Sequence, residues 1–325
     1  MSTVFTGSIA YDYLMTYPGH FVDSFQGEKL EALSVSFLAD SLVRQRGGVA
    51  ANVAYTHALL GGKGAIVAAA GGLDFAPYKQ WLDSQDIDTN SIQIVPDTFT
   101  ASFFATTDRK NLQIASFYPG AMSQAQYNKL SDLTPRPKRV MISANDPNTM
   151  VAYTAECQAL SIEYIFDPGQ QVTVCEPADL RSGIRGAKVL FVNQYEWHML
   201  EERLGITIDD VRSMVEVFIL TLGEDGSKIY TKSKEYVIPA VPPTISKDPT
   251  GSGDAYRGGF MRVYNLGLPL ELCGQIGALA ATYCLEEVGT QNHTFKIKEF
   301  INRFRRHFDD RAVLDRLYNR GEELP

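Results

Sequence analysis

Short apolar runs without polar alternation recur along the chain: GAIVAAAGG near residue 64, RVMIS from 139, IEYIFD from 162, KVLFV from 188 and VFILTLG from 217. A strand with one face in water alternates in polarity, whereas a run that is apolar throughout must be covered on both faces. Between these runs lie VAANVAYTHALL, TMVAYTAECQAL and LCGQIGALAATYCLEE, whose apolar and small residues recur at helical spacing. This strand and helix rhythm predicts an α/β fold in which helices cover both faces of a sheet.

One stretch departs from the rhythm. TFTASFFATTDRKNLQIASFYPG is rich in Phe, Thr, Ile and Tyr, with the polar residues Asp108 to Asn111 at its middle, and reads as a hairpin. A lone hairpin is marginal in water and must pack on other strands. Segments at about 13–17, 34–46 and 98–118 are therefore expected to form a small sheet that projects as a lid. With no internal repeat and no flexible linker, the 325 residues are expected to form one domain carrying that lid.

A chain that is 45% hydrophobic with a formal charge of -8 can build a large core and has no general attraction for nucleic acid or an anionic bilayer. The start, MSTVFTGSIAYDY, lacks a basic segment followed by an apolar one, and no later run reaches membrane-spanning length, so a cytoplasmic protein is expected. Cys157, Cys175, Cys273 and Cys284 show no metal or redox spacing and are expected as buried apolar residues.

The chemistry concentrates in DPTGSGDAYRGGF. Gly251, Ser252 and Gly253 precede a helical pattern, so backbone N–H groups and the positive end of a helix dipole can converge on a transferring phosphoryl group. Asp254 stands beside that site, where it is either a base for an attacking hydroxyl or a helix-capping carboxylate. Asp248 and Thr250 add oxygens that either hold a cation or cap the turn. The segment is not a P-loop, and GGKGAIV around Lys63 lacks the Gly-Lys-Ser/Thr ending.

RGGVAANVA at 46–54, NQYE at 193–196, TLGEDG at 221–226 and DPTGSGD at 248–254 together resemble the ribokinase-like, or PfkB, carbohydrate and nucleoside kinases over essentially the whole chain. The resemblance implies a ribokinase-like three-layer α/β/α domain with a β-sheet lid. It makes Asp254 the catalytic base and Gly251, Ser252 and Gly253 the anion hole. Asn193 and Glu196 match an Asn-x-x-Glu element that organises Mg2+ with ATP through solvent, and Thr221, Gly223 and Gly226 match a nucleotide loop. For the cation near Asp248 and Thr250, K+ is one candidate that the sequence leaves open.

GSIAYDYLMTYPG, SFLADSLVRQRGGVAANVA, QIASFYPGAMS and DPGQQ look like the bacterial adenosine kinases, particularly the mycobacterial type. By that likeness Ser8, Asp12, Gly48 and Asn52 contact ribose, Gln170 and Gln171 lie near the nucleoside, and Phe103 and Phe117 sandwich adenine from the lid. The expected reaction is phosphoryl transfer from ATP to the 5'-hydroxyl of adenosine, giving AMP and ADP. The alternatives are a kinase for ribose, fructose, inosine or guanosine, or a nucleoside-binding protein without catalysis. A homodimer through the lid is expected from the resembled kinases.

Overall fold

The computed structural model describes residues 3–24 and 36–317. The apolar runs form a nine-stranded sheet. Its strands are β1 (Thr3–Thr6), β4 (Ala65–Gly71), β5 (Ile92–Val95), β8 (Arg139–Ser143), β9 (Glu163–Asp167), β10 (Val189–Asn193), β11 (Val217–Thr221), β12 (Ser227–Tyr230) and β13 (Glu235–Ile238). The order is β13-β12-β11-β10-β9-β8-β1-β4-β5. From β11 to β5 every pair is parallel, and β12 and β13 close one side as an antiparallel hairpin.

Alternate residues of each strand enter different cores. Phe5, Ile66, Met141, Phe191 and Ile219 join a cluster with the helices Val49–Leu59, Ser252–Tyr264 and Leu270–Leu285. Val4, Val67, Ile142, Phe166 and Phe218 join the other, with Pro147–Ala159, Pro177–Ile184 and Gln194–Leu204. Burial on both faces is the reason these runs lack polar alternation, and the result is the expected three-layer α/β/α arrangement with a β-sheet lid. The four cysteines are buried and free. No helix among the described residues is long and apolar enough to cross a membrane.

The lid is a second sheet of β2 (Ala10–Thr16), β3 (Ser41–Gly47), β6 (Ala101–Thr107) and β7 (Gln113–Tyr118), in the order β3-β2-β6-β7. The turn at 7–9 lets one chain stretch serve two sheets, since β1 lies in the main sheet and β2 in the lid. The expected hairpin is β6 and β7, with Asp108 at its turn accepting backbone N–H groups of Phe21, Lys110 and Leu112. The strand expected at 34–46 begins only at Ser41: residues 34 and 35 lie outside the described residues, and 36–40 carry no strand.

Candidate active site

The parallel strands point their carboxyl ends at one edge, where ligands bind in open α/β sheets. Ser8 follows β1, Gln170 and Gln171 follow β9, Asn193 ends β10, and Thr221 ends β11. The helix Ser252–Tyr264 begins at the same edge with Gly251 as its N-cap. Gly251 has φ 79°, and a Cβ there would meet Thr290 at 2.7 Å, so the loop needs glycine both for its left-handed backbone and for the close approach. Asp254 is thus in the first turn rather than at the cap itself.

Asp254 is held across the fold. Asn52, on the helix Val49–Leu59, donates from Nδ2 to Asp254 Oδ2 at 2.8 Å. Its own Oδ1 accepts from Gln291 Nε2 at 2.9 Å and lies 2.8 Å from the Thr290 hydroxyl. Asn52, expected as a ribose contact, is therefore first a support for the carboxylate. One Nδ2 hydrogen is left for a substrate.

A buried cation, Arg257, lies under the glycine loop. Arg257, one turn beyond Asp254, places Nη2 2.6 Å from Asp167 Oδ1 and 3.9 Å from Glu196 Oε2. Burial pushes the Asp254 carboxyl up to about 6, opposed by Arg257 and by the Asn52 hydrogen bond and reinforced by Asp167 and Glu196. A base poised near neutrality suits proton removal from an alcohol. The motifs assign no role to Arg257 or Asp167, although Arg257 stands at i+3 from Asp254 and so shares its helix face.

Asn193 and Glu196 form a reciprocal cap: Asn193 Oδ1 accepts from Glu196 N and Glu196 Oε2 accepts from Asn193 N, each at 2.8 Å. This fixes a buried carboxylate beside the cleft, and burial raises its affinity for a proton against the pull of Arg257. No group of three His, Cys, Asp or Glu side chains that could cage a metal occurs among the described residues. A single carboxylate with one oxygen already engaged fits a Mg2+ ion that arrives with the nucleotide and keeps its water, as Mg2+ tends to. Asp248 accepts from Thr250 N at 2.9 Å and from Gly289 N at 3.0 Å, pinning the glycine loop to the segment that carries Thr290 and Gln291.

Thr221, Gly223, Gly226, Ser252 and Gly253 line one cavity of about 560 Å³. Val241, Pro242, Ala278 and Leu285 supply an apolar wall that the motifs did not disclose, because these residues read as ordinary core and loop. The cavity meets the glycine loop at Ser252 and Gly253, an arrangement that suits a nucleotide with its terminal phosphate at the helix start.

On the lid, strand register places Asp12 opposite Phe103, and Phe103 opposite Phe117. Directly opposed residues share a face, so a carboxylate and two rings form one row. No hydrogen bond engages Asp12 within the described residues, and its carboxyl is pushed up to about 6 by burial and by Asp248. Gly48 has φ 95°, with the position of a Cβ 2.5 Å from the Ser8 carbonyl oxygen. Ser8 Oγ accepts from Val49 N at 3.1 Å, so Ser8 helps seat the helix that carries Asn52. Gln170 is exposed, while Gln171 Oε1 is buried without a partner.

The profile of the pfkB family of carbohydrate kinases matches residues 6–296. The chain is 34% identical over 265 residues to a nucleoside kinase of Methanothermobacter thermautotrophicus, covering 79% of this chain and 84% of the relative. Its fold is similar to that of Burkholderia thailandensis nucleoside kinase in complex with inosine. The TM-score is 0.85 and the identity 32%, over 94% of this chain and 98% of the other. Methanocaldococcus jannaschii nucleoside kinase, an archaeal member of the ribokinase family, matches with a TM-score of 0.82 and 28% identity, over 94% and 99%. With the glycine loop, Asp254 and the lid in one architecture, this chain belongs to the pfkB family of carbohydrate kinases and is an ATP-dependent phosphotransferase.

Proposed function

We propose that this kinase phosphorylates the 5'-hydroxyl of purine nucleosides, accepting both adenosine and inosine. The observation that carries the reading is the lid row of Asp12, Phe103 and Phe117, which offers an unengaged carboxylate and two rings on one face. A ribose diol can donate to Asp12, and the rings offer flat faces to a purine, a feature without use for ribose or fructose. Ring faces do not distinguish adenine from hypoxanthine, which favours a broader substrate range than the adenosine kinase expected from the sequence. Similarity to nucleoside kinases, one of them holding inosine, supports the same breadth.

In this reading Asp254 takes the 5'-hydroxyl proton while Asn52 fixes its carboxylate, and the amides of Gly251 to Gly253 receive charge on the transferring phosphoryl oxygens. Glu196, braced by Asn193, is the residue that would hold Mg2+ through water, and Mg2+ when bound neutralises phosphate charge. Gln170 and Gln171 are proposed contacts to the nucleoside, and Gly48 gives the sugar close access. Asp248 and Thr250 are the proposed place for K+; exchange of K+ for Na+ in the rate assay checks it. The outer face of β6 and β7, with Phe104, Ile114 and Tyr118 exposed, is proposed to pair two copies.

The test is a transfer panel with Mg2+ and ATP: adenosine, inosine, guanosine, cytidine, ribose and fructose. Comparable kcat/KM for adenosine and inosine, at least about tenfold above ribose, is expected. Preference for a free sugar would overturn the nucleoside reading, and no transfer to any compound would favour a binding protein.

A further inference from the structure

On the face of the lid opposite the Asp12 row, strand β3 presents Arg44 and Arg46, in register with Tyr13 and Tyr11. The two stand at i and i+2, so both guanidinium groups leave the same side of the sheet. They line a cavity of about 230 Å³ together with Tyr11, Tyr78, Gln291 and Asn292. None of the residues lining that cavity is acidic, and neither arginine makes an ion pair among the described residues, in a chain of net charge -8. The guanidinium carbon of Arg44 lies 4.7 Å from the ring centre of Tyr11 and that of Arg46 lies 4.1 Å from that of Trp81. Arg46 Nε is buried and has no hydrogen-bond partner. Two forked cations held by aromatic faces, with the Asn292 amide beside them, suit a compact dianion, while the Tyr11 and Tyr78 hydroxyls already donate to the carbonyls of Asp74 and Gly47.

The cavity also touches the support of the catalytic base. Gln291 lines it and donates from Nε2 both to Asn52 Oδ1, at 2.9 Å, and to the Tyr78 hydroxyl. Its Oε1 accepts from Trp81 Nε1 at 3.1 Å, and the Thr290 hydroxyl lies 2.9 Å from the Arg46 carbonyl oxygen. We propose that this cavity is a regulatory site for a phosphate group, free or carried as a small monoester, whose occupancy weakens the hold of Asn52 on Asp254. An anion there competes for the Gln291 N–H groups and draws the Arg46 guanidinium from Trp81. Asn52 Oδ1 then loses one of its two donors, and the amide that orients Asp254 is less fixed. The site lies on the same face of the lid as Phe104, Ile114 and Tyr118 but at the other edge, since β3 and β7 are the two edge strands.

Calorimetry on the full chain without nucleotide, titrated with inorganic phosphate and separately with glycerol 3-phosphate, tests the site. Arg44→Gln is expected to weaken binding at least about tenfold, the loss of a charge-assisted hydrogen bond. In the kinase assay at saturating substrates, phosphate is expected to lower kcat about fivefold, the low end of common coupling strengths, and Arg44→Gln to abolish that fall while leaving basal kcat unchanged. Tighter binding of glycerol 3-phosphate assigns the site to a monoester; tighter binding of phosphate assigns it to the free ion. Binding unaltered by Arg44→Gln would place the anion in the glycine loop and overturn the proposal. So would absence of binding, or a dimer in light scattering that Arg44→Gln dissociates without any phosphate effect. The calorimetric result stands whichever nucleoside the kinase accepts.

Discussion

Replacing Asn52 with alanine removes the donor that sits 2.8 Å from Asp254 Oδ2. A hydrogen bond to a charged group is worth roughly 1.5–3 kcal/mol, and one pKa unit corresponds to about 1.4 kcal/mol. The bond favours the ionised carboxylate, so its loss should move Asp254 from about 6 upward by about one to two units. At pH 7 the base would go from about nine-tenths ionised to half ionised or less. The assay is kcat/KM for the nucleoside from pH 5 to 9, which reports the free enzyme. Asp12 is also pushed up to about 6, so the wild-type acid limb should be steep, with two carboxyls ionising together. Asp12→Asn should leave a limb of unit slope near pH 6. Asn52→Ala should shift one limb toward pH 7 to 8 and recover most of the rate at pH 9. A loss equal at every pH, or a limb that does not move, would refute the assignment of Asn52 as the support of an ionised base.

Asp254→Asn should depress kcat at least about a hundredfold, the low end for a general base, and yet raise thermal stability. The folded carboxyl is raised from 3.8 to about 6, so its ionised form costs the fold up to about 3 kcal/mol above pH 6. That cost fades as pH falls through 6 toward 3.8, so the Tm gain of the variant should be largest near pH 7.5 and vanish near pH 4. Phe117→Ala should raise KM for a purine nucleoside about two- to tenfold through lost stacking and leave use of ribose unchanged, as read in the substrate panel. Gly48→Ala forces a Cβ to within 2.5 Å of the Ser8 carbonyl oxygen at φ 95°. It should displace the start of the Asn52 helix and cost about 1–3 kcal/mol of stability, seen as an earlier urea midpoint.

The amino-acid order alone disclosed the layered α/β architecture, because strands buried on both faces have no polar positions to alternate, and β4, β8, β9, β10 and β11 are such strands. It disclosed the β6 and β7 hairpin through its turn residues, and the glycine loop with Asp254 because left-handed backbone and an approaching anion restrict the residue types allowed. These are local constraints, and local constraints leave a mark in a window of ten residues. Tertiary structure alone decided what surrounds Asp254. Asn52 and Asp254 are 202 positions apart, Asn52 and Gln291 are 239 apart, and Arg257 meets Asp167 from a different layer. No periodicity encodes such pairs, since a buried polar side chain finds its partner only when the sheet brings distant strand ends to one edge. The apolar wall of the cavity beside the glycine loop was hidden for the same reason: Val241, Ala278 and Leu285 are ordinary hydrophobic residues until folding leaves space beside them.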